Sequence, residues 1–375
     1  MEFNSSERST LGVEVEYWVV DDVTGLPVAC SVDVLAEAGA PYGGEHPKAK
    51  HELFQSSIEV ITGICETPAE ARADLQATID ELQPLLDARG VSLMSSGTHP
   101  YVEWEDLMIT PNERYNRLVE TIAWPAQRLM IHGVHVHVGV RSAEKSIATV
   151  NGLTTYLPHL LALSCSSPFW EGADTGMASV RTKIFEIMPT AGLPPRLDGW
   201  EEFELFLDAL IRAGSISTVR EVWWDIRPHP GFGTVELRMC DGIPSLAEVT
   251  AIAALAQCIV TWFDELIDAG AEVPLRRPWA VRENKWRAAR YGLDARLIVD
   301  DQGNTKPLTE ELNELVEHLR PIADRLGSRA ELDLVPQMIA RGASYQRQLA
   351  LVAEGATLPE VVASLAAELE DGLGA

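Results

Sequence analysis

Four short apolar segments of this chain each carry two ionisable residues at positions i and i+2. Side chains two residues apart on a β-strand project from the same face of a sheet, so each segment predicts a strand with one charged face. Any one pair is explained by the solvent face of an antiparallel strand. The solvent face of an ordinary strand also carries Ser, Thr, Lys and Gln, and these positions carry none of them. Taken together, the four pairs therefore predict one polar trough if the strands share a sheet. The pairs are Glu14 and Glu16, His135 and His137, Asp225 and Arg227, and Glu236 and Arg238.

The rest of the pattern mixes strands and helices without the regular alternation of a doubly wound parallel sheet. We therefore predict an α+β fold in which helices cover a largely antiparallel sheet, as a single domain over residues 1–375 with residues 1–8 as a flexible N-terminus. The predicted strands are 12–20, 58–62, 91–95, 134–140, 222–226 and 234–239. Predicted helices cover 67–90, 200–213, 276–291 and 308–327, and two more begin at Ser245 and Thr357, where Ser/Thr-x-x-Glu capping boxes occur.

The balance of charge excludes some classes of partner. The 375 residues carry 56 acidic and 30 basic side chains, a formal net charge of −26 that repels nucleic-acid phosphates and anionic lipid. We therefore expect neither a nucleic-acid nor a membrane partner. Five widely spaced cysteines and an N-terminus without an apolar signal core favour the cytoplasm. The apolar run 249–263 is shorter than the roughly 20 residues of a membrane span and predicts a buried helix.

The acids and histidines of the trough are residue types that hold divalent cations. Carboxylates suit Mg²⁺ or Mn²⁺, an imidazole is compatible with Mn²⁺, and the lack of clustered cysteines argues against structural zinc. Glu52 and Glu59 are candidates to complete such a site, provided that a turn or bulge between them places both on one face.

Arginine supplies the complementary charge. Of the 30 basic residues 24 are Arg and 6 are Lys, and the planar guanidinium binds carboxylate or phosphate in a bidentate manner. Arg181, Arg227 and Arg238 lie beside the acidic strands or in a Gly/Ser/Thr-rich loop, so we expect an anion opposite them, such as nucleotide phosphates bridged by metal. The sequence has no P-loop, Rossmann or nucleophile-elbow motif. Phe232, between two glycines, predicts a tight turn.

Eight short motifs occur in order within a match that runs from about residue 9 to past residue 350. They are TLGVEVE (10–16), GTHP (97–100), NERY (112–115), HVHVG (135–139), SCSSP (164–168), WDIRP (224–228), GTVELR (233–238) and RYGL (290–293). This ordered set resembles the bacterial glutamate–cysteine ligase type 2 family, also called carboxylate-amine ligases. The resemblance implies a fold similar to the catalytic domain of glutamine synthetase, in which an antiparallel sheet curves around an active-site funnel and is backed by helices.

The resemblance also implies a reaction. ATP phosphorylates the γ-carboxylate of glutamate, and the amine of a second substrate, typically cysteine, attacks the acyl phosphate to form an amide. Making an amide from a carboxylate needs a leaving group, and divalent ions that bridge carboxylates to a triphosphate favour this chemistry. The resemblance implies two or three Mg²⁺ or Mn²⁺ ions and a possible homodimer.

Residue roles follow from the matched motifs. The resemblance implies metal ligands at Glu14, Glu16, Glu52, Glu59, His135 and Glu236. It implies nucleotide or substrate binding by His137, Arg181, Arg227 and Arg238, with Arg227 and Arg238 also acting in catalysis. Which arginine binds phosphate and which binds glutamate stays open.

Three alternatives to a glutamate–cysteine ligase stay open as well. The first keeps the mechanism with a different amine acceptor, because no residue that recognises a thiol is identified. The second is a phosphotransferase that acts on a guanidino substrate on a similar fold. The third is an ATP-binding protein without catalytic activity.

Overall fold

Seven antiparallel strands form the central sheet in the computed structural model, which describes residues 2–371. The spatial order is β2-β3-β1-β5-β9-β8, and β4 pairs with the second half of β1. Two small two-stranded sheets, β6-β7 and β10-β11, lie outside it. The strands are β1 (Leu11–Asp21), β2 (Ala49–His51), β3 (Ser57–Ile61), β4 (Val91–Met94), β5 (Gly133–Gly139), β6 (Phe169–Trp170), β7 (Ala173–Asp174), β8 (Ile226–His229), β9 (Thr234–Asp241), β10 (Arg296–Ile298) and β11 (Thr305–Pro307).

Helices make up most of the rest of the described chain. They are α1 (Ser31–Gly39), α2 (Pro68–Asp87), α3 (Glu113–Ile122), α4 (Trp124–Gln127), α5 (Ala143–Ser164), α6 (Val180–Phe185), α7 (Trp200–Arg212), α8 (Leu246–Asp268), α9 (Pro278–Tyr291), α10 (Leu308–Leu326), α11 (Arg329–Leu332), α12 (Leu334–Arg341), α13 (Ser344–Ala353) and α14 (Leu358–Asp371). Because all three sheets are antiparallel and the helices pack around the central one, the predicted α+β fold is confirmed.

The central strand β1 shows why the sheet has two different faces. Val13, Val15 and Tyr17 are buried in the main core, where α2, α5 and α8 pack against the sheet. Glu14 and Glu16, which alternate with them, project from the opposite face. Farther along β1 the same face becomes apolar, because Trp18 and Val20 pack in a second buried cluster with residues of α14. The charged face therefore occupies the first half of the strand.

Helix α2 begins with the predicted cap, whereas the capping box predicted for α8 is wrong, because the Ser245 side chain makes no cap hydrogen bond. In α2, the Thr67 side chain accepts a hydrogen bond from the backbone N–H of Glu70, and Pro68 occupies the first helical position, where a missing N–H has no cost. Helix α8 is long and apolar enough to cross a membrane by length and composition, but 89% of its most apolar window is buried inside the protein. It is therefore a core helix, as predicted from the apolar run.

One predicted strand is wrong in position. The strand expected at 222–226 runs instead over Ile226–His229, and residues 222–225 connect it to a single turn of 3-10 helix at Val219–Glu221. The sequence pattern missed this strand because it contains Pro228, and proline has no N–H to donate to a neighbouring strand. It is tolerated here because β8 lies at the edge of the sheet and pairs only with β9.

The N-terminal residues make defined contacts with the sheet. The backbone N–H groups of Asn4 and Ser6 donate to the carbonyl oxygens of Pro230 and Val140, both at 3.0 Å. Phe3 packs edge-on against Trp200. Flexibility over residues 1–8 and the single-domain organisation both stay predictions.

We expect Gly97→Ala to destabilise the fold, because a Cβ at Gly97 would lie 2.7 Å from the Asp241 carboxylate. Asp241 is fully buried and accepts hydrogen bonds from Ser166, Ser167 and Ser179, so it has no room to move. Overpacking of this kind costs about 1–3 kcal/mol, measurable by urea denaturation. Gly63→Ala is the control, since its Cβ would meet only an Asp74 oxygen at 3.7 Å. Equal stability of the two variants would contradict the prediction.

Candidate active site and metal centre

Strand register brings the predicted site residues onto one face of the sheet. Residues directly opposite each other in an antiparallel pair have side chains on the same face. The pairing therefore builds three adjacent rows across the trough. The opposed residues are Arg227 with Glu236 and Glu236 with His137, then Glu14 with His135, then Glu16 with Glu59.

Glu52 joins the trough through a hairpin. Strands β2 and β3 pair antiparallel with Lys50 opposite Glu59, and Glu52 follows directly after β2. Residues seven apart can share a face only if a turn or bulge lies between them. The turn between β2 and β3 meets this requirement, so Glu52 and Glu59 lie close together. The Glu52 carboxylate also accepts the backbone N–H of Leu53.

Seven side chains of the trough place their donor atoms close enough to share cations. Within each of three groups, one atom from every residue lies within 4.8 Å of the others. All six residues predicted as metal ligands belong to these groups, although their role as ligands stays a prediction. The groups are Glu14, His137 and Glu236; Glu14, Glu59 and His135; and Glu16, Glu52 and Glu59.

Glu14 lies between the two histidines. Its carboxylate oxygens lie 3.2 Å from His135 Nδ1 and 3.3 Å from His137 Nε2. Burial would raise the pKa of Glu14, but the hydrogen bonds and positive charge of the histidines outweigh burial and lower the pKa below its ordinary value. Burial would lower the pKa of His137, but the charges of Glu236 and Glu14 raise it. This part of the trough therefore favours a charged imidazole beside a charged carboxylate.

Glu236 is the most enclosed acid, with 2% of its side chain exposed. Arg227 donates to its Oε2 from Nη2 at 2.5 Å and from Nε at 3.1 Å, and Arg238 ion-pairs with its Oε1. Burial alone would raise the pKa of Glu236, but Arg238, His137 and Arg227 hold it well below its usual range. At this end of the trough, cations outnumber carboxylates.

The opposite end has excess negative charge. Burial, reinforced by the charge of Glu16, raises the pKa of Glu52 to about 8. Burial and the neighbouring carboxylates likewise raise the pKa of Glu59 well above its ordinary value. Clustered oxygen donors that lack a balancing cation fit Mg²⁺ or Mn²⁺, because the ion would replace the protons that the carboxylates otherwise hold.

A bulge and a glycine shape the wall beside the Glu16 row. Between Val134 and Val136 the register shifts, so that two residues of β9, Arg238 and Met239, oppose one residue of β5. The Arg181 guanidinium donates to the carbonyl oxygens of these two residues at 3.3–3.4 Å. It lies where a Cβ at Gly133 would overlap it, so only glycine leaves it room. Arg181 is thus beside the trough but directed at backbone.

Asp225 does not belong to the trough. The sequence paired it with Arg227 on one strand face, but Asp225 precedes β8 and its carboxylate ion-pairs with Lys285 of α9 at 2.6 Å. Glu186 binds the same ammonium at 2.7 Å. The i, i+2 rule failed here because the strand begins one residue later, at Ile226.

An aromatic pair that the sequence pattern missed closes the arginine end. The rings of His229 and Phe232 stack with centroids 4.1 Å apart at 10°. Phe232 lies in the turn between β8 and β9, as its flanking glycines predicted, and is 57% exposed. Burial lowers the pKa of His229 to about 4, so its ring is neutral at pH 7. Each ring also contacts His137 edge-on.

Helix α3 brings two further residues to the acidic end. Tyr115 donates its hydroxyl to the carbonyl oxygen of His51 at 2.7 Å, and burial and the charge of Glu52 raise its pKa. The exposed Arg114 lowers the pKa of Glu52 by its positive charge. Strand periodicity could not find these residues because they lie on a helix. The NERY motif was the only signal.

Nearly the whole chain has the sequence signature of a known family. Residues 10–364 match the family model described as glutamate-cysteine ligase family 2. The chain belongs to this family. The resemblance drawn from the ordered motifs is confirmed, and family membership identifies the protein as a ligase.

Relatives and solved structures agree with this assignment. A provisionally named glutamate–cysteine ligase 2 of Thermobifida fusca is 50% identical over 99% of this chain and 94% of its own length. A similar protein of Frankia casuarinae is 51% identical over 99% of this chain and 97% of its own. The glutamate–cysteine ligase of Francisella tularensis, solved in complex with AMP, superposes with a TM-score of 0.70 at 11% identity, covering 98% of this chain and 89% of that one. At that identity the likeness concerns the fold.

The raised pKa of Glu52 makes the stability of the metal-free protein depend on pH. The folded state holds a proton that the unfolded state releases, so the free energy of unfolding falls as pH rises from about 4.5 to about 8. We expect Glu52→Gln to flatten this fall, because the amide does not titrate. Urea denaturation in chelator at pH 5, 7 and 9 measures it.

Exposed Glu45 supplies the control for this test. Glu45→Gln changes the same group outside the trough and should retain the wild-type pH dependence. Added Mg²⁺ should stabilise the wild type more at pH 8 than at pH 6, because at pH 8 a smaller fraction of Glu52 carries a proton that the ion must displace. Equal pH dependence of Glu52→Gln and Glu45→Gln would contradict the prediction.

Proposed function

We propose that this protein is an ATP- and Mg²⁺-dependent carboxylate-amine ligase that joins the γ-carboxyl group of glutamate to the amino group of cysteine. One observation carries the proposal: a single sheet face holds excess carboxylates at one end and excess arginine and histidine charge at the other. A cation-binding region next to an anion-binding region is what a metal-bound triphosphate and a carboxylate substrate require.

The proposed reaction has two steps. A γ-carboxylate oxygen of glutamate attacks the γ-phosphorus of ATP, and the bond to the β–γ bridging oxygen breaks to release ADP. The amine of cysteine then attacks the carbonyl carbon of the acyl phosphate. The carbon–oxygen bond breaks, phosphate leaves, and the amine nitrogen loses a proton to give the amide.

Six residues would hold the ions in this scheme. Bound Mg²⁺ neutralises triphosphate charge and polarises the transferred phosphoryl group. The ligands would be Glu14, Glu16, Glu52, Glu59, His135 and Glu236, in the three overlapping groups described above. Overlap through Glu14 and Glu59 favours two or three ions over a single one.

The arginine end would bind the transferred phosphoryl group. Arg238 has a buried Nε without a hydrogen-bond acceptor in the described part of the chain, although its Nη1 donates to Glu236. His137 Nε2 faces the space between two carboxylates, held by a Nδ1 contact with Thr234 Oγ1 at 3.0 Å. Both groups carry donors that phosphate oxygens could accept from as negative charge moves toward the leaving group.

The aromatic pair at the same end suits the nucleotide base. Phe232 exposes one ring beside His137, and adenine stacks on such surfaces. The Francisella tularensis ligase, solved with AMP, supports nucleotide binding on this fold. Cysteine as the acceptor rests on the family description and the relatives' names. A cytoplasmic location and a homodimer remain expectations.

A substrate panel tests the proposal. Purified protein with ATP, Mg²⁺ and glutamate is given cysteine, other amino acids, simple amines or hydroxylamine, and ADP and products are followed by mass spectrometry. We expect γ-glutamylcysteine with cysteine and γ-glutamyl hydroxamate with hydroxylamine. Product with another amine in preference to cysteine retains the mechanism and changes the acceptor. Phosphorylated guanidine, or ATP binding without any product, would favour the two remaining alternatives.

Single-atom changes test the metal centre. Glu16→Gln and Glu236→Gln each replace one carboxylate oxygen by an amide nitrogen at constant size. We expect each to lower kcat at least 100-fold, since removal of about 3 kcal/mol of transition-state stabilisation has that effect. The Mg²⁺ concentration for half-maximal turnover should rise for Glu16→Gln.

Folding and specificity need their own controls in this test. Circular dichroism and the unfolding temperature report whether each variant is folded, and Glu45→Gln should have wild-type turnover. If folded Glu16→Gln and Glu236→Gln both retained wild-type turnover, the trough would be a solvent face and the proposal would fail.

A further inference from the structure

A second concentration of positive charge lies on the helical side of the sheet. Two cavities of about 310 and 320 Å³ adjoin there, between residues 193–196, the start of α9 and the β10 region. Arg196 and Arg276 line both cavities, and Arg282 lines the first. The second cavity is also lined by Asp300 and by Asp301, which ion-pairs with Arg277 at 3.2 Å. We call Arg196, Arg276 and Arg282 and the first cavity between them the basic cleft. Helix α5, which packs between α9 and the sheet, separates the cleft from the trough.

Arg276, the central arginine of the cleft, is oriented by an acid that also contacts a histidine. Arg276 Nη2 donates to Glu311 Oε1 at 2.5 Å, and Glu311 Oε2 lies 3.0 Å from His159 Nε2. Arg276 Nη1 is buried and has no acceptor among the described residues. A buried guanidinium N–H without an acceptor is unfavourable, and the side chain borders an open cavity. The pair Glu311 and His159 therefore orients a cation whose hydrogen-bonding capacity is only partly used.

The first cavity presents positive charge without a balancing acid. Its lining contains three arginines, the polar side chains Asn151 and Thr154, and otherwise apolar residues, but no carboxylate. Among residues 2–371, the side chains of Arg196 and Arg282 form no ion pair or hydrogen bond. In a chain with a net charge of −26, cations facing a cavity free of acids are the exception.

Helix α9 adds to the positive potential. It begins at Pro278, directly after Arg277, and no side chain caps its first turn. The free N–H groups of the first turn and the positive end of the helix dipole lie at the cleft, together with the arginines. Two apolar prolines, Pro194 and Pro195, and Val281 form the other walls of the cavity.

We infer that the basic cleft binds a small organic oxyanion, with a phosphate or carboxylate group against Arg196, Arg276 and Arg282 and an apolar portion against the prolines. Guanidinium groups bind both kinds of oxyanion through paired N–H donors. The site lies outside the trough and does not depend on ligase chemistry.

Isothermal titration of the full chain without Mg²⁺ tests the inference, with pyrophosphate and succinate as probes. The double variant Arg196→Ala/Arg282→Ala removes the two rim arginines, neither of which forms an ion pair or side-chain hydrogen bond among residues 2–371. We expect it to bind the preferred probe at least tenfold more weakly than the wild type. The two probes distinguish a phosphate site from a carboxylate site.

Arg72→Ala is the matched control, because Arg72 is exposed on α2, far along the chain from the cleft. It should bind both probes as the wild type does, and Arg282→Ala alone should have an intermediate effect. Any oxyanion that binds in the trough is unaffected by these variants. Equal binding by the double variant and the wild type, or binding no tighter than chloride at matched ionic strength, would overturn the inference.

Discussion

Repulsion among carboxylates crowded on one face of the sheet is the constraint on which the rest of the site depends. Like charges held a few ångströms apart in a partly buried space cannot all remain ionised without compensation. At the Glu236 end, Arg227, Arg238 and His137 provide compensation within the protein. At the other end, burial and the neighbouring carboxylates raise the pKa of both Glu52 and Glu59. That difference divides the trough into a region for anions and a region for cations.

The fold supports this arrangement by separating apolar from charged surface. The helices α2, α5 and α8 cover one face of the sheet and bury its apolar side chains. On the other face, Trp18 and Val20 pack against α14 at the far end of β1, and the rest of that face carries the acids and bases. The strand order matters equally: β1 lies between β3 and β5, so Glu14 and Glu16 have neighbours from both sides. Acids on an edge strand would have neighbouring side chains from one adjacent strand only.

Much of the site followed from period-2 patterning, because alternation on a strand is a local property. The pairs on β1, β5 and β9 were correct for this reason. The incorrect predictions also have local causes. Pro228 disguised an edge strand, and a start one residue later than expected directed Asp225 to Lys285 of α9. The hairpin that joins Glu52 to Glu59, the bulge at Arg238, and the approach of Arg114 and Tyr115 depend on pairing between distant segments, which periodicity does not contain.

The sequence by itself determined the α+β class, the charged faces of three strands, the family and the chemical character of the site, because these depend on residue types and their spacing. Tertiary structure decided which row each residue joins, that Glu236 is paired with two arginines while Glu52 and Glu59 are not, and that Arg181 is turned toward backbone carbonyls. It also placed Arg196 and Arg276 around one cleft from segments 80 residues apart. Cross-strand register and the burial of charge arise only when the chain is folded, and they determine which of these groups compensate one another.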